Sequence, residues 1–261
     1  MEYVKVKAKS LLNRLKRRDD WYKCAYTLNP YRGCQFACPY CYDVAQQWRG
    51  RYHAKPSEVA WKIFVKENAV ERLREELRGK PRDIVAIGSA TDPYQLAEEK
   101  FEVTRGCLNV LVRAEWPVEV GTKSPLILRD LDLLKEASKR SFCCIFITVT
   151  TLDERLAGVF EPAAPKPAER LRTVKQLSKA GIEVCVTMIP VFPYLTDGFN
   201  DVLEVASKAE ECGAKYFMAG GLTLPGETRH RFYRLLKAHF PELLPKYEKL
   251  YRASGYPDSS V

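Results

Sequence analysis

Cys34, Cys38 and Cys41 are the residues whose types and spacing are best placed to do chemistry: they form C-x3-C-x2-C within NPYRGCQFACPYCYD. Thiolates are soft ligands suited to iron–sulfur clusters or to zinc. Three is the informative number. A [4Fe–4S] cube has four irons to ligate, so a three-cysteine cradle leaves one open to another molecule. A zinc site would need a fourth ligand, for which Cys24 is the nearby candidate. Cys143, Cys144 and Cys185 lie in apolar strand-like runs and Cys107 and Cys212 in helix-like ones, where a free Cys behaves as a small hydrophobe. His53, His230 and His239 are scattered and form no triad or zinc pattern, which disfavours hydrolytic chemistry.

A ligand loop needs a scaffold, and the periodicity supplies one. Short β-branched runs over 23–28, 83–88, 118–123, 142–150, 182–189 and 215–220 alternate with helical patterns near 68–79, 98–114, 126–140, 168–180, 198–213 and 226–239. Six β-then-α units in series argue a parallel sheet wrapped by helices, an α/β partial (β/α)6 barrel. Residues 1–21 read as a basic N-terminal arm, 22–240 as the barrel and 241–261 as a C-terminal helical extension. Gly79 and Gly181 follow helices where a left-handed residue is wanted, and Asp197 is expected to cap the helix after it. The Pro-rich stretch 161–170 reads as a loop. In such folds chemistry collects at the C-terminal ends of the strands, which is where the three cysteines fall.

With 261 residues, 46% hydrophobic, the chain can bury a sizeable core without disulfide staples. No run of about 18 apolar residues offers a membrane span. The opening MEYVKVKAKSLLNRLKRR lacks the pattern of a secretory signal, so a cytoplasmic address is expected, with nine cysteines present as thiols or ligands. The net charge is +9, and eight basic against three acidic groups lie in residues 1–24. Arg32, Arg49, Arg51 and Lys55 extend the excess. Clustered Lys and Arg suit a polyanion such as a nucleic acid approaching near Arg32, Arg49 and Arg51; the alternative is a solvated, partly disordered arm.

The cysteine pattern, with an aromatic before its last member and in a loop after the first strand, resembles the signature of radical S-adenosylmethionine (SAM) enzymes. The resemblance extends to the spore photoproduct lyase-like branch through KIFVKENA (62–69), GSATDPYQLAEEKFEVTR (88–105), TKSPLILRDLDLL (122–134), TTLDERLAGVFEPAAPKPAERL (150–171), AGIEV…IPVFP and LTLPGE. It implies a [4Fe–4S] cluster on Cys34, Cys38 and Cys41, with SAM chelated at the open iron. It further implies an external one-electron reductant of flavodoxin or ferredoxin type, and reductive cleavage to a 5′-deoxyadenosyl radical that abstracts hydrogen from a substrate.

Residue by residue, the resemblance places Tyr40 near the adenine and Ser89, Ala90 and Thr91 at the methionyl amino group. It places Lys123 and Thr148 at the SAM carboxylate, and Met188, with Ile189, beside the adenosine. Many relatives carry Gly-Gly-Glu where this chain has Ser89, Ala90 and Thr91, so hydroxyls and carbonyls would serve instead. Spore photoproduct lyase has a hydrogen-donating cysteine at the end of its second strand, whereas residues 85–89 here hold no thiol. That argues against repair of its thymine photoproduct. Asp92, Tyr94, Glu98 and Arg105 read either as a substrate-side lining or as a charge network pinning loop to helix. An iron–sulfur electron carrier or sensor without SAM chemistry, and a zinc-stabilised nucleic-acid-binding protein, are the competing classes.

Overall fold

Strict alternation along the central strands builds the molecule, which is described here from a computed structural model covering residues 1–43, 58, 60–251 and 255–258. Strands β3 (Tyr26–Leu28), β6 (Val85–Ile87), β7 (Val118–Thr122), β8 (Cys143–Thr148), β9 (Glu183–Val191) and β10 (Tyr216–Gly221) lie side by side in chain order, all parallel. One antiparallel strand, β2 (Leu12–Arg14), extends the β3 edge. Each of the first five parallel strands is followed by a connection that returns over the outer face and the sixth by a helix, so the sheet is the expected (β/α)6 arrangement, open between β10 and β2.

The outer face carries Val85, Ile87, Val118, Val120, Ile145, Ile147, Val184, Val186 and Met188, each at most 1% exposed. They pack on Leu73 of α1 (Ala69–Leu77), Leu108 and Leu111 of α3 (Val103–Arg113), Leu134 of α4 (Leu131–Arg140) and Val174 and Leu177 of α6 (Pro167–Lys179). The opposite parity, Ala86, Glu119, Gly121, Phe146, Thr148, Thr187 and Ile189, faces an interior cavity. Parity therefore decides which residues reach the site.

Gly79 and Gly181 adopt φ +73° and +81° immediately after their helices, as expected of left-handed terminators. Asp197 does not cap the next helix. Gly198 occupies the N-cap of α7 (Phe199–Glu211), and no side chain caps it. The expected helix over 98–114 is two helices, α2 (Leu96–Phe101) and α3, broken at Glu102, which has φ +49°. A short helix unanticipated from periodicity, α5 (Glu154–Phe160), starts where Asp153 accepts from the amides of Arg155 and Leu156.

The N-terminal segment is not a solvated arm. β1 (Glu2–Val6) pairs parallel with β5 (Lys62–Lys66), which in turn pairs with β4 (Tyr31–Arg32), making a second, three-stranded sheet. Ala8, Leu11 and Leu12 are buried. Asn68 exchanges two hydrogen bonds with the backbone of Ala8, and Glu76 accepts from the amides of Leu11 and Leu12. Arg18 is engaged with Asp83. Arg49 and Arg51 lie outside the described residues.

After α8 (Glu227–His239) come a 3₁₀ turn (Pro241–Leu243) and α9 (Leu244–Leu250). They complete a second apolar cluster in which Phe160, Phe192, Phe232, Tyr247 and Tyr251 surround Phe36 and Tyr40 of the cysteine loop. Phe160 and Phe192 stack at 4.2 Å, and Tyr40 meets Phe192 edge-on at 5.3 Å. The helical end of the chain thus buttresses the ligand loop. No helix among the described residues is long and apolar enough to cross a membrane.

Candidate functional site

The cysteine loop leaves β4 at Gly33, whose φ of +87° turns the chain over the C-terminal ends of the strands. Its fold is held by contacts from two sides. The Thr91 hydroxyl and the Gln95 amide donate to the Gly33 carbonyl, at 2.6 and 3.1 Å. Gln95 also accepts from the Gln35 amide, and Gln35 accepts from that of Ala97. From the other side, α8 contributes Thr228, donating to the Cys41 carbonyl at 2.9 Å, and Arg231, donating to that of Ala37 at 3.3 Å. The loop is thus clamped between the start of α2 and α8.

Cys34, Cys38 and Cys41 all line one cavity of ≈ 390 Å³ together with Tyr40, Ser89, Ala90, Thr91, Lys123 and Thr148. Burial holds the Cys34 thiol well above its ordinary value and pushes that of Cys38 up to about 12, each with a further contribution from its neighbouring thiols. Among the described residues, no three His, Cys, Asp or Glu side chains close on one point for a single metal ion. The soft donor set, three thiols lining one cavity, fits a cluster. Cys24 borders the same cavity, but its charged surroundings are Glu119, Asp19 and Arg18 rather than the three cysteines, and burial raises it to about 11.

Lys123 follows β7, with its side chain largely buried. Its Nζ stands 3.7 Å from Glu161 and 5.9 Å from the Tyr40 ring centroid. Glu161, fully enclosed, also meets Arg170 at 2.5 Å and accepts from the Tyr40 hydroxyl. Burial works against charge at both groups, yet the pairing prevails: Arg170 and Lys123 bring Glu161 below the usual carboxylate range, and Glu161 and Cys38 bring Lys123 above the usual lysine value. Two cations share one resident carboxylate there. Sequence reasoning missed Glu161, although it sits in the quoted stretch 150–171.

The segment after β6 is tied to its neighbours. Gly88 has φ +94°, and a Cβ there would lie 2.7 Å from both the Gly121 carbonyl oxygen and Pro93 Cδ. Asn29 donates to the Ser89 hydroxyl at 3.0 Å and accepts from the Ala90 amide at 2.8 Å. Thr91 has its proton on Gly33 and accepts from Gln95 at 2.9 Å. Buried Asp92 accepts from the Tyr94 amide, the Thr122 hydroxyl and the Lys123 amide, joining the end of β6 to that of β7. Burial raises its carboxyl, and these three hydrogen bonds offset part of that. Thr148 accepts from the Thr187 hydroxyl at 3.1 Å.

Two expectations resolve here. Of Asp92, Tyr94, Glu98 and Arg105, only Asp92 borders the cavity. The other three belong to a charge network buried at Glu98 and Asp130 and open to solvent at Asp132: Tyr94 donates to Asp130, Arg105 bridges Asp130 and Asp132, and Glu98 accepts from Arg129 and Tyr31. Met188 is the residue that the structure does not bring to the site. It shares strand parity with Val184 and Val186 and is fully buried in the outer core, whereas Thr187, Ile189 and Pro190 face the cavity.

A family model for the Radical SAM superfamily matches residues 28–206. An uncharacterised protein of Mycobacterium tuberculosis is 33% identical over 234 residues, 88% of this chain and 68% of that protein. One of Methanocaldococcus jannaschii is 31% identical over 199 residues, 76% of this chain and 70% of its own. Among solved structures, a mutant spore photoproduct lyase with bound AdoMet and dinucleoside spore photoproduct superposes with TM-score 0.65 at 14% identity, covering 92% of this chain and 66% of that one. Streptococcus suis SuiB bound to S-adenosylmethionine gives TM-score 0.53 at 14% identity, over 84% of this chain and 47% of the other. The chain therefore spans about two thirds of the lyase and half of SuiB, and these likenesses concern the fold.

Proposed function

The chain belongs to the Radical SAM superfamily, and from that premise we propose that it is a cytoplasmic enzyme. In this reading it carries a [4Fe–4S] cluster on Cys34, Cys38 and Cys41 and cleaves S-adenosylmethionine with an electron from a flavodoxin- or ferredoxin-type donor. The observation that carries the reading is one of placement. Three thiols, that of Cys38 buried and those of Cys34 and Cys41 half-buried, and a largely buried lysine wall the same chamber at the C-terminal ends of parallel strands. When bound, the cluster and SAM together supply a 5′-deoxyadenosyl radical able to abstract hydrogen from a substrate.

The chain's own residues do the holding. Lys123 offers its ammonium to the SAM carboxylate, and Thr148 offers a hydroxyl from the adjacent strand. Glu161 keeps Lys123 protonated when no ligand is present, while Arg170 prevents Glu161 from satisfying Lys123 completely. At the segment after β6, the Thr91 hydroxyl already donates to Gly33 and accepts from Gln95, so the Ser89 hydroxyl and the backbone carbonyls are the acceptors for the methionyl amino group. Tyr40, Ile189 and Pro190 wall the adenosine, in place of the Met188 expected from sequence. The apolar barrel face and the aromatic cluster behind the loop exclude water from a reactive intermediate.

Equilibrium dialysis of SAM against the anaerobically reconstituted protein tests the assignment. Lys123→Met is expected to keep the cluster absorbance and weaken SAM binding at least tenfold. Unchanged affinity would remove Lys123 from the site.

A further inference from the structure

Four residues along β7 from Lys123, ~13 Å at the usual strand rise, the same inner face carries a second ionisable residue with no counterpart there. Glu119 is 5% exposed and borders the cavity, and its Oε2 is buried without a hydrogen-bond partner among the described residues. Its cross-strand neighbours are Ala86 and Cys144, the first too small to cover it and the second a weak donor. The charged group beside it is Asp19, another carboxylate, whose Oδ1 accepts from the amides of Trp21 and Tyr22. Arg18, the nearest basic residue in sequence, is turned to Asp83 and the Lys23 carbonyl. A buried carboxyl oxygen without a partner carries a desolvation cost that an incoming donor would relieve. Two carboxyls at one end of a chamber, neither in an ion pair with a cation among the described residues, make a site for a cation brought from outside.

We propose that the Glu119 end of the cavity is a substrate subsite that receives a positively charged nitrogen, an ammonium or guanidinium group, with Glu119 as its specificity-determining partner and Asp19 as the second carboxylate. Tyr22 and Phe146, in edge contact at 5.0 Å, form the apolar wall beside it. The substrate would be an amine- or guanidine-bearing molecule, its cationic end held here and its reacting carbon lying toward Lys123 and the cysteine loop. This rests on reading the cavity as the substrate chamber, but the binding itself needs neither cluster nor SAM.

The charge state of Glu119 gives the experiment its signature. Burial, then Asp19, pushes its carboxyl up to about 8. The other groups facing it, Cys24, Cys144, Cys185 and Tyr22, are all raised by burial and remain neutral, so Glu119 is the group that titrates at neutral pH. It is mostly protonated at pH 7, and a bound cation must displace that proton. The probe is benzylammonium, titrated by calorimetry into the full-length protein in buffers of different ionisation enthalpy, with benzyl alcohol as the neutral isostere. Benzylammonium is expected to bind with release of close to one proton, to tighten roughly tenfold per pH unit between pH 6 and 7.5, and to bind at least tenfold better than benzyl alcohol. Glu119→Gln should abolish the proton release and the pH slope. If that variant does not fold, the wild-type pH slope and the alcohol comparison still decide the matter. Equal affinity for the two probes, binding without proton release, or no binding of benzylammonium would overturn the proposal. None of these outcomes bears on whether the cysteines hold a cluster.

Discussion

Arg170→Met is the substitution whose consequence follows most directly from the architecture. Arg170 is 1% exposed, meets Glu161 at 2.5 Å, and donates to the Pro165 and Thr148 carbonyls at 2.7 and 3.1 Å. Methionine keeps much of the volume and removes the charge, leaving Glu161 fully buried against Lys123, 3.7 Å away, and the Tyr40 hydroxyl. Removing one partner of a buried ion pair typically costs 3–5 kcal/mol. The residual pairing with Lys123 pulls toward the low end, and the two orphaned carbonyls pull the other way. About 4 kcal/mol is the expectation, which for a chain of this size lowers Tm by roughly 8–16 °C. Urea denaturation followed by circular dichroism measures it, with Glu161→Gln and the double variant completing a cycle. The account expects a coupling of at least 2 kcal/mol between the two sites. A loss below 1 kcal/mol for Arg170→Met, or simple additivity in the cycle, would refute the claim that this pair anchors the Lys123 side of the site.

Alanine at Cys34, Cys38 or Cys41 should abolish the visible iron–sulfur absorbance after reconstitution, and alanine at Cys24 should leave it intact; retained absorbance in any of the first three would contradict the ligand set. Gly88→Ala forces a Cβ to 2.7 Å from Gly121 O at a positive φ, so it should destabilise by about 2 kcal/mol or more and lower SAM affinity in dialysis. For Glu119, the folded-state carboxyl lies above its unfolded value, so the native state holds a proton that the unfolded chain has lost between about pH 4.5 and 8. Its contribution to stability therefore falls as pH rises through that window, by up to about 1.4 kcal/mol per unit. Urea midpoints should show Glu119→Gln more stable than wild type at pH 8, with the gap closing toward pH 5; a gap independent of pH would place the charge elsewhere.

The parallel sheet and the cysteine loop were legible because each signal is local: short β-branched runs, helical periods and a three-thiol spacing. What was missed depends on strand parity. Val184, Val186 and Met188 share one face of β9, and the first two are plainly core residues, so Met188 had to be core as well. The same rule applied to β7 places Glu119, Gly121 and Lys123 on one face, and would have brought Glu119 to the site alongside Lys123. The N-terminal segment was misread because its charges dominate its composition, while Leu11 and Leu12 bury themselves through partners such as Glu76 that lie more than 60 residues away. The Glu161–Arg170–Lys123–Tyr40 cluster joins three separate parts of the chain, and no spacing rule links them. Glu98 and Arg105 were ambiguous for the same reason: their partners, Arg129, Asp130 and Asp132, come from the following unit.

The central claim is that the three thiols and Lys123 belong to one machine for reductive cleavage of SAM. The direct measurement is 5′-deoxyadenosine and methionine, by chromatography, after anaerobic reconstitution with iron and sulfide and addition of dithionite and SAM. Formation of both with the wild-type protein, and of neither with Cys38→Ala, is the predicted result. A protein that carries a full [4Fe–4S] cluster and yields no 5′-deoxyadenosine above the Cys38→Ala background would contradict it.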